Sequence, residues 1–234
     1  MEKYREQERQ KEENPFENEQ VAQEWINSVE HEKDMGRDRE VYPRLQSWLQ
    51  EKPADLVVEI GSGQGICSDK LGNFQGKYIG IEPSTFLTER AKQLYGDDRR
   101  EFTLGEAYDT TIESEAADAS FSVMVWFHLE DLDKAAKELA RILKKDGRFF
   151  IITANPDAQK IWESFYFDYT KEGNKITGKV NIPINPVSKS IFYEHSRDDI
   201  LTALKNYGLE VEKVETSFPM DGEDIFLSIT GKKK

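Results

Sequence analysis

The residues best placed to do chemistry sit at one break in the chain, Val57-Val58-Glu59-Ile60-Gly61-Ser62-Gly63-Gln64-Gly65. An apolar, β-branched run ends in three glycines at alternate positions, and apolar positions resume at Ile66 and Leu71. Strand, glycine-rich turn and helix in that order form a nucleotide-binding turn. Glycine reaches φ > 0 and lets a ligand approach with no Cβ in the way. The helix that follows offers unpaired N–H groups to an anionic or polar ligand group.

Two histidines are candidate proton acceptors. His128 follows the fourth apolar run, at the carboxyl edge of a sheet, where ligands of open α/β folds bind. His195 precedes a late helix. For each, a structural role is the plainer alternative to that of a base. His31 lies in a charged helical stretch and reads as solvated. Aromatic residues gather at Trp162, Phe165, Tyr166, Phe167 and Tyr169, with Phe192 and Tyr193 later. They are candidates for an acceptor pocket wall, with Trp162, Tyr166 and Tyr193 foremost, or for a small satellite core. Arg37 or Arg39 is within reach of a ligand carboxylate, or else belongs to a solvated turn. Cys67, the one cysteine, reads as a small packing residue.

The surrounding pattern must position these groups. Strands are expected at 56–60, 78–81, 101–104, 119–126 and 149–153, with helices between them and the apolar stripe Leu132 to Leu143 the clearest. Lys144-Lys145 sit at the C-terminal end of that helix, where positive charge suits the dipole, and Asp146-Gly147 turns the chain into the fifth strand. Such alternation implies an α/β, doubly wound, mostly parallel sheet. Two further strands, 210–216 and 224–230, form an antiparallel pair, giving seven strands with an antiparallel last one. Ser196-Arg197-Asp198-Asp199 is a capping box that opens a helix stopped by Gly208. Residues 1–52 read as an N-terminal helical extension or lid, with a charged arm at 1–20 and amphipathic helices at 21–29 and 41–49. Residues 53–234 form the main domain, with an insertion at about 155–195 that holds a hairpin turning at Glu172-Gly173-Asn174.

The net charge of −13 argues against a nucleic-acid backbone as main partner. No run approaches the roughly 20 apolar residues of a membrane span, and the N-terminus lacks the apolar core of a secretory signal. With one cysteine and no possible internal disulfide, a reducing cytoplasm is the expected compartment.

The glycines are spaced Gly-x-Gly-x-Gly, with an acid, Glu59, two places before the first. In this the chain resembles the class I S-adenosylmethionine-dependent methyltransferases, whose first motif is an acid followed by alternate glycines. Ile81-Glu82-Pro83-Ser84 resembles their second motif; Glu82 lies 17 positions after Gly65, and the resemblance makes it the ribose-binding acid. Gly105-Glu106-Ala107 is similar to the adenine-contacting third motif. Val125-Trp126-Phe127-His128-Leu129-Glu130-Asp131 matches the segment after strand four, with Phe127 and Glu130 departing from the family's usual histidine and proline. Leu143-Lys144-Lys145-Asp146-Gly147-Arg148-Phe149 resembles the turn into strand five. The resemblance implies S-adenosyl-L-methionine as cofactor, bound by Glu59, Gly61, Ser62, Gly63, Gly65, Glu82, Pro83, Glu106, Ala107, Trp126 and Phe127. Glu59 and the N–H groups near Gly63 and Gly65 would hold its amino-acid end, and Trp126 and Phe127 would line it.

Methyl transfer from a sulfonium is an in-line displacement that needs alignment and a dry site. No Asn/Asp-Pro-Pro-Tyr/Phe pattern follows strand four, and there is no Pro-Cys nucleophile. The expected function is transfer to O or N of a small molecule, with optional help from His128 or His195 and no metal. The alternatives are RNA or protein methylation, or a protein that binds the cofactor without transfer.

Overall fold

The computed structural model describes residues 14–30, 36–182 and 185–234. His31 and most of the charged arm therefore lie outside the described residues. The fold starts from strand alternation. In β1 (Leu56–Ile60), Val58 and Ile60 point into one apolar layer and Val57 into the other. In β5 (Leu143–Ala154), Phe149 and Ile151 join the first layer, Phe150 and Ile152 the second. Both faces of this sheet are thus covered, as a parallel sheet requires.

The seven-stranded sheet has the order β3-β2-β1-β4-β5-β10-β9. Here β2 is Lys77–Glu82, β3 Arg100–Leu104, β4 Ala117–Val123, β9 Leu209–Met220 and β10 Glu223–Lys233. β1 pairs in parallel with both β2 and β4, and β10 runs antiparallel to β5 and β9. Helices α5 (Leu132–Ile142) and α7 (Arg197–Asn206) cover the first face. On the second face lie α2 (Tyr42–Gln50), the short α3 (Ile66–Asp69) and Ala91 of α4 (Thr85–Tyr95). Buried Arg148 ties α2 to the sheet: it donates to Trp48 O at 2.7 Å and Lys52 O at 2.9 Å, and stacks over the Trp48 ring. The expected capping box at Ser196 and Asp199 is present.

Three details differ from the sequence pattern. β4 ends at Val123 and does not reach Trp126. Met124 takes φ 59°, a region costly for a side chain, and breaks the strand there. Second, the expected helix end at Lys144-Lys145 and turn at Asp146-Gly147 are absorbed into β5 as a bulge, because pairing with β4 jumps from Leu143 to Arg148. Third, the insertion carries three strands, not two: β6 (Tyr166–Glu172), β7 (Lys175–Ile182) and β8 (Asn185–Tyr193), antiparallel in that order, preceded by α6 (Gln159–Ser164). Pro186 and the polar alternation of β8 hid it from the pattern.

The N-terminal residues cross the carboxyl edge of the sheet. α1 (Glu19–Glu30) buries Val21, Ala22 and Ile26. Glu24 accepts from Ser188 N of β8 at 2.7 Å. Glu30 meets Arg90 of α4 at 2.8 Å. Ahead of α1, Phe16 O accepts from Ser84 Oγ at 2.6 Å, and Glu17 accepts from Thr85 N at 3.0 Å. Ser84 is itself the N-cap of α4, so one strap touches both halves of the molecule.

Candidate active site

Strand order reverses between β2-β1 and β4-β5, and open α/β sheets bind ligands outside the strand ends at such a point. A cavity of about 250 Å³ lies there. Gly61 and Gly63 form its wall after β1, Glu82 and Pro83 after β2, Glu106 and Ala107 after β3, and Met124, Val125 and His128 after β4. Tyr193 closes it from the insertion, and Asn14, Pro15, Phe16 and Trp25 from the N-terminal strap.

The glycines have separate tasks. At Gly61 (φ 75°) an added Cβ would meet Val125 at 2.3 Å, and at Gly65 (φ 85°) it would meet Phe102 and Ala91 within 2.9 Å. Those two serve close packing. At Gly63 (φ 52°) the nearest atom to an added Cβ is Trp25 Nε1 at 4.0 Å, so Gly63 leaves space for a ligand.

Four N–H groups of the turn are already engaged within the protein. Gly61 N and Ser62 N donate to Ile81 O at 2.8 and 3.0 Å, and Gly65 N donates to Ser62 O at 2.9 Å. Gly63 N donates to Glu82 Oε2 at 3.0 Å. The turn spends these donors on holding itself against the end of β2.

Glu82 also accepts from Ser84 N at 2.9 Å through Oε1. Each oxygen thus accepts one backbone bond and keeps a further lone pair at the cavity. Burial pushes its pKa up to about 7, while the Ser84 and Gly63 N–H bonds and the Glu17 charge pull in opposite directions. Glu59 is 1% exposed and does not line the cavity. It accepts from Tyr78 Oη and contacts the Cys67 thiol beneath the turn. Its pKa is also raised to about 7, first by burial.

Other expected ligands fall elsewhere. Ser62 is buried, its Cβ filling the space left by Gly80. Trp126 turns away in the Trp126–His128 turn, and its Nε1 donates to Ser122 Oγ at 3.0 Å. Phe127 stands in the wall of a second, apolar cavity of about 90 Å³, together with Trp162 and Tyr166. Phe127 stacks with Phe192 at 5.4 Å, and Tyr166 with Phe192 at 4.6 Å. Arg37 reaches that cavity over the Trp25 ring, whereas Arg39 stacks on Phe218 and pairs with Glu40. Cys67 is buried, as a packing residue is.

His128 lines both cavities. Its Nδ1 lies 2.6 Å from Ile191 O. A carbonyl only accepts, so Nδ1 carries the hydrogen and the neutral ring keeps its lone pair on Nε2. Desolvation pushes its pKa down to about 4, against the Ile191 bond. His195 does not reach the larger cavity. It lines a third space of about 70 Å³, and its Nε2 donates to Leu129 O at 2.6 Å. Its position is that of a tether.

Sequence reasoning missed Phe16, Trp25, Tyr108 and Met124, all in the wall of the larger cavity. Tyr108 Oη accepts from Asp131 N at 3.1 Å, and burial raises its pKa to about 12. A tyrosine directly after Glu106-Ala107 was the signal available for it.

Residues 58–151 match the family described as "Methyltransferase domain". A Dictyostelium discoideum protein named as a methyltransferase is 31% identical over 55% of this chain and 50% of its own length. Tocopherol O-methyltransferase of Arabidopsis thaliana is 30% identical over 51% of this chain and 38% of its own. This chain therefore spans half or less of these relatives. The solved S-adenosylmethionine-dependent methyltransferase of Mesorhizobium loti shares the fold with a TM-score of 0.62 at 16% identity, covering 82% of this chain and 96% of that one.

Proposed function

We propose that this chain, whose residues 58–151 match the methyltransferase-domain family, is a class I S-adenosylmethionine-dependent methyltransferase and that it transfers the methyl group to an O or N atom of a small molecule. The observation that carries the reading is the Glu82 carboxylate at the wall of the large cavity, braced by two backbone N–H groups. The cofactor of the class fits the residues present. Glu82 has acceptor capacity to spare for two neighbouring hydroxyls, and Gly63 leaves the space beside it open.

Bound there, S-adenosylmethionine would supply a methyl group on a positively charged sulfur. Glu82 would hold the ribose hydroxyls. Glu106 and Ala107, beyond the end of β3, would face the adenine. The strap at Asn14, Pro15, Phe16 and Trp25 would act as a lid that excludes water, which strengthens every polar contact inside. Neutral His128 would accept a proton where the acceptor must lose one.

Three features favour a small acceptor. The strap and the insertion supply part of the wall of the cavities, and the chain carries 45 acidic against 32 basic side chains. The name of the Arabidopsis relative places its transfer on an oxygen of tocopherol. Among the described residues no helix is long and apolar enough to cross a membrane. The one cysteine is free and fits the cytoplasm as the compartment. The test uses methyl-labelled S-adenosylmethionine with a cell extract split by size. Label recovered in molecules below about 1 kDa supports the reading. Label confined to RNA or protein would overturn it.

A further inference from the structure

The reading of the larger cavity as the methyl-donor site leaves the apolar cavity next to it without an occupant. Trp25, Met124 and His128 line both spaces, so they adjoin at these three side chains. The apolar one is walled by rings: Phe127, Trp162, Phe165, Tyr166 and Phe192 among others. Phe127, Tyr166 and Phe192 lie in one stacked series, with interplanar angles of 19° and 15°. His128 continues it against Phe192 at 4.9 Å and 28°. A wall built of stacked rings suits a flat apolar guest laid against it. Its volume of about 90 Å³ is of the order of the apolar cavities, roughly 150 Å³, that hold a benzene ring.

We propose that this cavity, on the premise that its neighbour holds the methyl donor, takes the ring of a neutral aromatic hydroxyl compound, and that His128 Nε2 removes the hydroxyl proton during transfer. Three observations narrow the class. The Nε2 lone pair is fixed by the Nδ1–H bond to Ile191 O, so the acceptor must bring a hydrogen to it; a carboxylate would set lone pair against lone pair. Among the described residues lining the apolar cavity there is no carboxylate, and the charged one is Arg37, so an ammonium acceptor finds no counter-charge. The rest of the wall offers only apolar contact, together with the Ser190 and Tyr166 hydroxyls and the Trp indoles.

The step balances within these groups. The O–H proton goes to His128 Nε2, and an oxygen electron pair forms the O–CH₃ bond. The C–S bond breaks and its pair stays on sulfur, cancelling the positive charge. His128 ends as imidazolium and returns its proton to solvent before the next turnover. The titratable and charged groups lining the spaces around His128 are Arg37 and Tyr166 on the apolar side, and Glu82, Glu106, Tyr108, Glu130 and Tyr193 on the donor side.

The test compares phenol and 1-naphthol with aniline and 1-naphthylamine, and with benzoate and 1-naphthoate. Binding is measured by calorimetry with S-adenosylhomocysteine present, and turnover as S-adenosylhomocysteine formed from S-adenosylmethionine. A hydroxyl compound should bind and react at least about tenfold better than its amine and carboxylate counterparts. His128→Asn places an amide N–H where Nδ1–H stood and removes Nε2. It should keep the affinity for S-adenosylhomocysteine and naphthol within about threefold. Its turnover should fall about 10²-fold or more, the lower range for a lost general base. The residual rate should climb about tenfold per pH unit from 7 to 9, as free hydroxyl ionises, while the wild-type rate stays nearly level. If S-adenosylhomocysteine binds but the amines or carboxylates are preferred, or none of the six binds, or His128→Asn turns over like wild type, this proposal is overturned and the donor site stands. If S-adenosylhomocysteine itself does not bind, the donor site falls and this proposal falls with it.

Discussion

His128 and His195 hold each other's stretch of chain in a reciprocal clasp. His128, in the turn after β4, donates from Nδ1 to Ile191 O of β8. His195, just past β8, donates from Nε2 back to Leu129 O in that turn. The two bonds fix the insertion against the sheet edge, and with it the wall between the two cavities. The same clasp orients the His128 ring, so its tautomer follows from the fold.

The clasp makes stability depend on acid. His128 stays neutral in the fold to about pH 4, whereas the unfolded chain takes up that proton near 6.5. Stability from this group is therefore complete above 6.5 and falls as pH drops toward 4, by about 2–3 kcal/mol in all. Glu59 and Glu82, raised to about 7, act in the opposite sense between 7 and 4.5. A comparison with His128→Asn isolates the histidine. Urea unfolding of both proteins at pH 7 and 4.5 should show wild type losing about 2–3 kcal/mol more than the variant. Parallel losses would show that the ring is not held neutral.

Cofactor affinity should depend on pH through Glu82. The ionised carboxylate accepts hydroxyl hydrogens best, and burial holds it partly protonated near pH 7. The dissociation constant for S-adenosylhomocysteine should fall as pH rises from 6 to 8, by up to about tenfold per unit below the pKa, and then level off. Glu82→Gln should bind weakly and show a flat profile. A sloping profile in that variant would assign the titration to another group, with Glu59 the next to test.

The glycines should separate fold from function. Gly65→Ala drives a methyl into Phe102 and Ala91 and should lower the unfolding free energy by about 1–3 kcal/mol, the usual cost of overpacking. Gly63→Ala meets open space instead and should cost about 1 kcal/mol for its backbone region. Its larger effect should be on S-adenosylhomocysteine, because the added methyl stands in the cavity beside Glu82. Equal losses of stability in the two variants would contradict this division.

Much of the sheet was legible because its apolar runs alternate with turn residues and one helical stripe. Gly61, Gly63, Glu82 and His128 were findable because each ends or follows a strand, and strand ends converge at the switch point. Glu59 is the penultimate residue of β1 and Trp126 lies just past β4, but a side chain's direction there depends on the final backbone angles. Met124, with its positive φ, rotates what comes next, so Trp126 turns inward to Ser122. Glu59 points under the turn to Tyr78, 19 residues away, a partner that no local pattern reveals. Phe16 and Trp25 reach the cavity only through tertiary contacts of the strap with Ser84 and Ser188. That Ile81 O and Glu82 take the Gly61, Ser62 and Gly63 N–H groups was not legible, because spacing says nothing of such competition.

The central claim is that Glu82 holds the methyl donor. It is tested most directly by calorimetric titration of S-adenosylhomocysteine into wild type and Glu82→Ala at pH 8, with thermal unfolding measured alongside. The account predicts saturable one-site binding to wild type and a loss of about 1–3 kcal/mol in the variant, as expected when a charged acceptor is removed, with both proteins folded. Unchanged affinity in a folded Glu82→Ala, or no binding to wild type, would contradict it.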